Sequence, residues 1–215
     1  NMDVLDGEVV AVMSPHAGYM YSGSVAGYAF SAIKDLSPEL VVMISPMHQP
    51  YYAQVMTTAH AAYQTPLGLI PVNRESIDCL SAILKNEAGV KLTEVAHDPE
   101  HSLEIELPFL QRALNSGYQI LPIMLRDQSA VMARYLAKAL TQALVQLGMA
   151  KRGSSLLVAS TDLSHYYSQS RAKQLDGELL KQVALFDAEG VIKTEEQGKG
   201  YACGRGALSA VMWAA

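Results

Sequence analysis

The chain is short of cysteine, of charge and of long apolar runs, and each shortage excludes something. Its two cysteines, Cys79 and Cys203, cannot build a disulfide framework, so a reducing, cytoplasmic setting is expected. Charged residues are 17% of the sequence, below the roughly 25% of an average soluble domain. With 50% hydrophobic residues, disorder is excluded and a large core can be built. The 16 Lys and Arg against 21 Asp and Glu leave a net charge of -5 without a basic run; nucleic acid is therefore not an expected partner. The longest apolar stretches, residues 40–44 among them, fall far short of the roughly 18 residues of a membrane span, so no membrane association is expected. The opening Asn1-Met2-Asp3 carries no charged region ahead of an apolar one, as a secretory signal would. An Asn in first position reads as a trimmed piece of a longer chain. Repeats, low-complexity tracts and linkers are missing too, so the chain is read as one unit. The Gly-x-Ser-x-Gly elbow, His-Glu-x-x-His, Gly-x-Gly-x-x-Gly and a Gly-Lys-Ser/Thr ending do not occur.

What is present alternates between two patterns. Residues 9–13, 40–44 and 156–159 are short apolar runs without polar alternation, which suits strands buried on both faces. Residues 120–125 are similar, but Pro122 predicts an edge strand or a bulge. Residues 55–58 offer a further strand. Leu136, Leu140, Leu144 and Leu147 make a helical stripe, and so do Leu175, Leu179, Val183 and Phe186. Residues 22–33, 74–84 and 206–213 are further helical candidates. Leu103, Leu107, Leu110 and Leu114 form another stripe, in which Pro108 must kink the helix or start it. Strands alternating with helices predict an α/β layered sheet with helices on both faces.

The chemistry gathers where the buried strands end. The first run leads to Ser14-Pro15-His16, the second to Ser45-Pro46-Met47-His48, and the third to Ser160-Thr161-Asp162-Leu163-Ser164-His165. If these strands are parallel neighbours, the polar tips share the carboxyl edge of one sheet, where open α/β sheets place their ligands. His60 has no such context and reads as a structural residue; His97 is ambiguous. In the cluster Asp98-Pro99-Glu100-His101-Ser102-Leu103-Glu104, two readings compete. Ser102 is a helix cap with acids near the positive helix end, or His101 is a proton carrier or substrate contact oriented by Glu100 or Glu104. The glycines of Gly198-Lys199-Gly200-Tyr201-Ala202-Cys203-Gly204-Arg205-Gly206 imply tight turns or close approach to a ligand. Cys203 is either a small buried residue or a low-pKa thiolate and metal ligand ahead of a helix. Cys79, inside a helical pattern, is expected in the core.

Taken together and in order, Pro15-His16-Ala17-Gly18-Tyr19-Met20-Tyr21-Ser22-Gly23, Ser45-Pro46-Met47-His48, Glu100-His101-Ser102-Leu103-Glu104, Ser160-Thr161-Asp162-Leu163-Ser164-His165 and Cys203-Gly204 resemble the Memo family. Its prokaryotic members are called AmmeMemoRadiSam system protein B. The resemblance implies a layered α/β/α fold with a mainly parallel central sheet, similar to the LigB-like class III extradiol dioxygenases. It implies that His16 and His48 match metal-binding histidines, and that Cys203 stands where the dioxygenases have a ligand Glu. It further implies that Asp162 and His165 complete the pocket, His165 as acid/base, with His101 a further pocket histidine. Fe(II) is the metal implied by resemblance. The softer His, His, Cys set would also accept Zn(II) or Cu(I), and the protein could be metal-free as isolated. Ser45 replaces the family's usual Gly. An aromatic-Pro pair ahead of the first strand is missing, and a further strand is expected after the last helix. The expectation is thus a single Memo-like domain over residues 1–215, lacking the family's N-terminal segment and a C-terminal strand.

Three functions compete at this point. One is metal-dependent redox or dioxygenase-like chemistry on a small substrate, with His165 moving protons and Asp162 orienting His165 or ligating the metal. Another is a non-enzymatic module binding a peptide or protein through Tyr19, Tyr21, Tyr51 and Tyr52. The third is a hydrolase using Ser160 or Ser164 with His165. The family's system name also implies radical SAM and AMMECR-type partners.

Overall fold

A computed structural model describes residues 7–97 and 99–215. Asp98 lies outside the described residues. In chain order the elements are β1 (Ala11–Ser14), α1 (Tyr19–Ser31), β2 (Leu40–Pro46), β3 (Val55–Thr58), β4 (Ala62–Thr65), β5 (Gly68–Pro71), α2 (Arg74–Ala88) and β6 (Leu92–Val95). A single 3-10 turn (Glu104–Glu106) follows, then α3 (Leu107–Ala113), β7 (Gln119–Leu125), α4 (Ala130–Gln146), β8 (Ser155–Ser160), α5 (Gln169–Ala184), α6 (Ala188–Glu196) and α7 (Arg205–Ala214). The central sheet has the order β1-β8-β2-β7-β3-β6, and β4 with β5 forms a separate hairpin. β1, β8, β2 and β7 are parallel, while β3 meets β7 antiparallel. Helices flank the sheet in a layered α/β/α arrangement, with α7 packed on β2 and β8 and against α4 and α6. Among the described residues, no helix is long and apolar enough to cross a membrane.

The three apolar runs do become parallel neighbours. Every residue of β2 is buried, because helices cover both faces of a parallel sheet. Burying each Val, Leu or Ile there contributes roughly 1.5–3 kcal/mol. The helical stripes bury Leu136, Leu140 and Leu144 in α4, and Leu175 and Leu179 in α5. The α5 stripe stops short of Phe186, which is exposed and lies past the helix end with φ 54. Pro108 starts α3 rather than kinking it.

Two expectations need correcting. Pro122 does not mark an edge: β7 lies between β2 and β3. On the β3 side, Ile120 O accepts from Asn73 N–H and Pro122 O accepts from the Thr57 hydroxyl at 2.6 Å. The proline nitrogen faces the same side, in the gap between the Val72–Ile120 bridge and the β3 pairing at Met124. No ladder donor is missed there, so the proline is tolerated inside the sheet. Cys79 is only partly buried, and its thiol reaches Gln146 Oε1 at 3.4 Å.

Candidate metal centre

The ends of β1, β8 and β2 lie side by side, in register from Ser14 opposite Ser160 to Ile44 opposite Ala159. That register brings His16, His48 and the segment after Ser160 to one edge. Pro15 and Pro46 follow or close the strands, stopping the ladder where the side chains must turn out. His16 Nε2, a His48 ring nitrogen and Cys203 Sγ come within 4.8 Å of one another. His16 Nε2 is 3.2 Å from Cys203 Sγ, near the roughly 3.5 Å between two ligands on a tetrahedral ion with usual bond lengths.

Each imidazole is already oriented from behind. His16 is 2% exposed, and its Nδ1 lies 2.8 Å from Ser160 Oγ. The Ser160 hydroxyl donates to Ser102 O at 2.6 Å, so Nδ1 carries the proton and Nε2 keeps its lone pair. His48 Nδ1 sits 3.1 Å from both Glu100 oxygens, and its backbone N–H donates to the same carboxylate at 2.6 Å. Glu100 also accepts from the backbone N–H groups of His101 and Ser102. Burial works against its charge, but the hydrogen bonds, those of His48 foremost, hold its pKa down at about 2. The Cys203 contact and then Glu100 raise His48 to about 10. Burial alone would raise the Cys203 thiol, yet its contacts with the His16 and His48 rings bring it to about 6. Without an ion, the cluster is thus a carboxylate–imidazolium–thiolate row at neutral pH.

Cys203 comes from the loop before α7, which is laced to the β8 exit. Its backbone N–H donates to Asp162 O, and Asp162 N–H donates back to Sγ at 3.2 Å. Gly204 N–H donates to Thr161 Oγ1 at 2.8 Å. A Cβ at Gly204 would meet Ser160 O at 2.6 Å and Thr161 Cβ at 2.9 Å, so only glycine permits this approach. Gly204→Ala is expected to destabilise the protein by ~1–3 kcal/mol and to push Cys203 out of place. A lower denaturation midpoint with faster alkylation of Cys203 would show it; unchanged values of both would contradict the packing argument.

Asp162 faces the β1 exit: Oδ1 accepts from the backbone N–H groups of His16 and Ala17, and Oδ2 is 3.9 Å from His16 Nε2. The His165 ring is held instead by Leu163 O at 2.9 Å and by edge contacts with Tyr166 and Tyr201. His101, half exposed, stacks beside His48 with centroids 6.2 Å apart. Ser102 is not a side-chain cap; its hydroxyl donates to Pro46 O at 2.9 Å. His16, His48, His101, Asp162, His165 and Cys203 all line one cavity of about 580 Å³, with Tyr21 and Tyr166 on its wall. That size is ordinary for a small-ligand site. Tyr19, Tyr51 and Tyr52 do not line it, nor do His60 and His97, which border a separate cavity beyond Glu100.

The sequence profile of Memo-like proteins matches residues 6–215. The chain belongs to the Memo-like family. A MEMO1 family protein of Nitrosopumilus maritimus is 37% identical over 204 residues, covering 95% of this chain and 71% of the relative. One from Thermoplasma volcanium is 31% identical over 203 residues, covering 94% and 71%. One from Methanosarcina mazei is 31% identical over 213 residues, covering 99% and 75%. In this Memo-like chain, sequence reasoning missed two groups behind the cluster. Sequence reasoning offers Glu100 as a helix-end acid or a partner of His101, although it clamps His48, and Ser160 as a nucleophile rather than as the partner of His16. The link from Ser160 to His16 spans 144 positions, so no local pattern could reveal it.

Proposed function

We propose that this protein is a metalloprotein that binds one ion through His16, His48 and Cys203 and carries out redox chemistry on a small substrate in the adjoining cavity. The observation behind this reading is the convergence of the three donors with both imidazole Nδ1 atoms already engaged. Partners of that kind fix the tautomer and ring orientation of metal-ligating histidines. Three protein donors would leave an open position, as in catalytic sites. Fe(II), Cu(I) and Zn(II) suit the set, with thiolate favouring the softer ions. A bound ion would supply Lewis acidity and, for iron or copper, an electron. His165, with Nδ1 donating to Leu163 O, keeps Nε2 to take or return a substrate proton. Asp162 acts by holding the β1 exit, and His101 by contacting substrate at the cavity mouth. Two free cysteines fit a reducing, cytoplasmic compartment.

The test is metal analysis of untagged protein purified anaerobically, followed by O2 uptake with catechols and added Fe(II). Protein that retains no metal and binds none on titration would end this reading. A second reading, peptide capture without catalysis, is favoured by the exposed Tyr21 and Tyr166 at the cavity wall. It predicts that His16→Ala leaves partner binding intact.

The titrations give a sharper expectation. An ion must displace the proton that His48 keeps up to about pH 10. Cys203 is already a thiolate above about pH 6. Affinity should therefore rise roughly tenfold per pH unit between these values, and more steeply below the lower one. Zn(II) competition titrations across that range check it; a flat profile would mean that His48 is not a ligand.

A further inference from the structure

Behind the cluster lies an acid that no part of the site so far uses. Glu106 ends the short turn before α3 and is 0% exposed. Neither carboxyl oxygen has a hydrogen-bond partner among the described residues. The side chains beside it are the hydroxyls of Ser160 and Ser14, which end β8 and β1. Both hydroxyl protons are engaged elsewhere. Ser160 donates to Ser102 O at 2.6 Å, and Ser14 donates, more weakly, to Pro15 O at 3.3 Å. A serine hydroxyl has one proton and two acceptor positions. Ser160 fills one acceptor position with His16 Nδ1–H, so it can offer Glu106 only a lone pair. Against Ser160 a carboxylate would set lone pairs against lone pairs, with the weakly held Ser14 hydroxyl left to donate to it, and burying so poorly paired a charge costs several kcal/mol. A carboxylic acid has an O–H to give, and Ser160 keeps an acceptor position open for it. Burial pushes Glu106 well above the usual carboxylate range; the two hydroxyls oppose this without prevailing, and the nearby charge of Asp162 adds to it.

We propose that Glu106 is a positioning residue, kept as a neutral acid whose O–H donates to Ser160 Oγ, which locks Ser160 as acceptor for His16 Nδ1–H and leaves His16 Nε2 free to bind an ion. The value of a free Nε2 rests on the metal-site reading, whereas the protonation of Glu106 and the His16 tautomer belong equally to the metal-free protein.

The experiment uses the metal-free full chain. Infrared difference spectra of wild type against Glu106→Gln read the carbonyl stretch of a protonated carboxyl. NMR with 15N-labelled histidine reads which His16 nitrogen holds the proton. Wild type should show the acid band at neutral pH, and Glu106→Gln, whose amide still donates, should keep the Nδ1–H tautomer. Glu106→Leu should shift His16 to a mixture of tautomers and weaken Zn(II) binding by ~10–100-fold, while Glu106→Gln stays near wild type. An ionised Glu106 at neutral pH, or an unchanged tautomer in Glu106→Leu, would overturn the proposal. If Glu106→Leu does not fold, the wild-type and Glu106→Gln spectra decide alone. Wild type that shows the acid band and the Nδ1–H tautomer but takes up no Zn(II) would leave the assignment of Glu106 standing and remove the metal site.

Discussion

Cys203→Ala is expected to lower the affinity for Zn(II) and Cu(I) by at least ~100-fold, more than loss of an outer partner does, while the protein remains folded. Sγ is the soft donor of the set and lies 3.2 Å from His16 Nε2. Its backbone anchors, Cys203 N–H to Asp162 O and Gly204 N–H to Thr161 Oγ1, do not involve the side chain, so the loop should hold. A second effect follows in the metal-free protein. The Cys203 contact is the largest cause of the raised His48 pKa, so the alanine variant should bring His48 down from about 10 towards its ordinary 6.5. Chelator competition measures the first effect and NMR titration of the His48 ring the second. Unchanged affinity would show that the sulfur is not a ligand.

Glu100→Ala is expected to cost about 3 kcal/mol of stability, the low end for breaking a buried pair, and ~10–100-fold in metal affinity. The carboxylate, whose side chain is 1% exposed, holds the His48 backbone, the His48 ring and the turn at His101 and Ser102 together. Truncation leaves those donors facing a void. The pH dependence of the metal-free wild type has a definite sign. Glu100 is depressed from 4.5 to about 2, so its contribution is present above pH 4.5 and fades as pH falls towards 2. His48 is raised from 6.5 to about 10, so its contribution is complete below pH 6.5 and fades as pH rises towards 10. Cys203 is lowered from 9.0 to about 6, so its contribution grows between those values and offsets the loss from His48. Stability from this row should rise to about pH 4.5 and hold to about pH 9, and Glu100→Gln should flatten the acid limb. Chemical denaturation across pH decides it; a wild-type curve as flat as that of Glu100→Gln would show that the row contributes nothing.

Much of the scaffold was legible because buried parallel strands leave a strong local mark. Residues 40–44 and 156–159 fit strands covered on both faces, and their polar exits could be expected at one edge if the strands were parallel neighbours. Pro122 misled because its cost depends on what lies opposite the missing N–H, and that is Thr57, 65 positions away. β6 and the β4–β5 hairpin, four residues per strand, are too short to carry a period. The six pocket residues were each visible as chemistry-bearing types after strands or in a glycine-rich loop, but their division of labour was not. Asp162 serves the β1 exit and His165 leans on Leu163, a choice made by side-chain direction rather than by spacing.

By itself, the sequence determined the strand–helix alternation, the Memo-like membership carried by ordered motifs, and the residue types available at the strand exits. Those properties are encoded locally, in runs of a few residues. Only the tertiary structure decided that Glu100 turns to His48, that Ser160 turns to His16, and that Glu106 is buried beside Ser160 and Ser14. Each depends on two or more segments meeting in a space without water, where a hydrogen-bond partner or its absence changes which atom holds the proton.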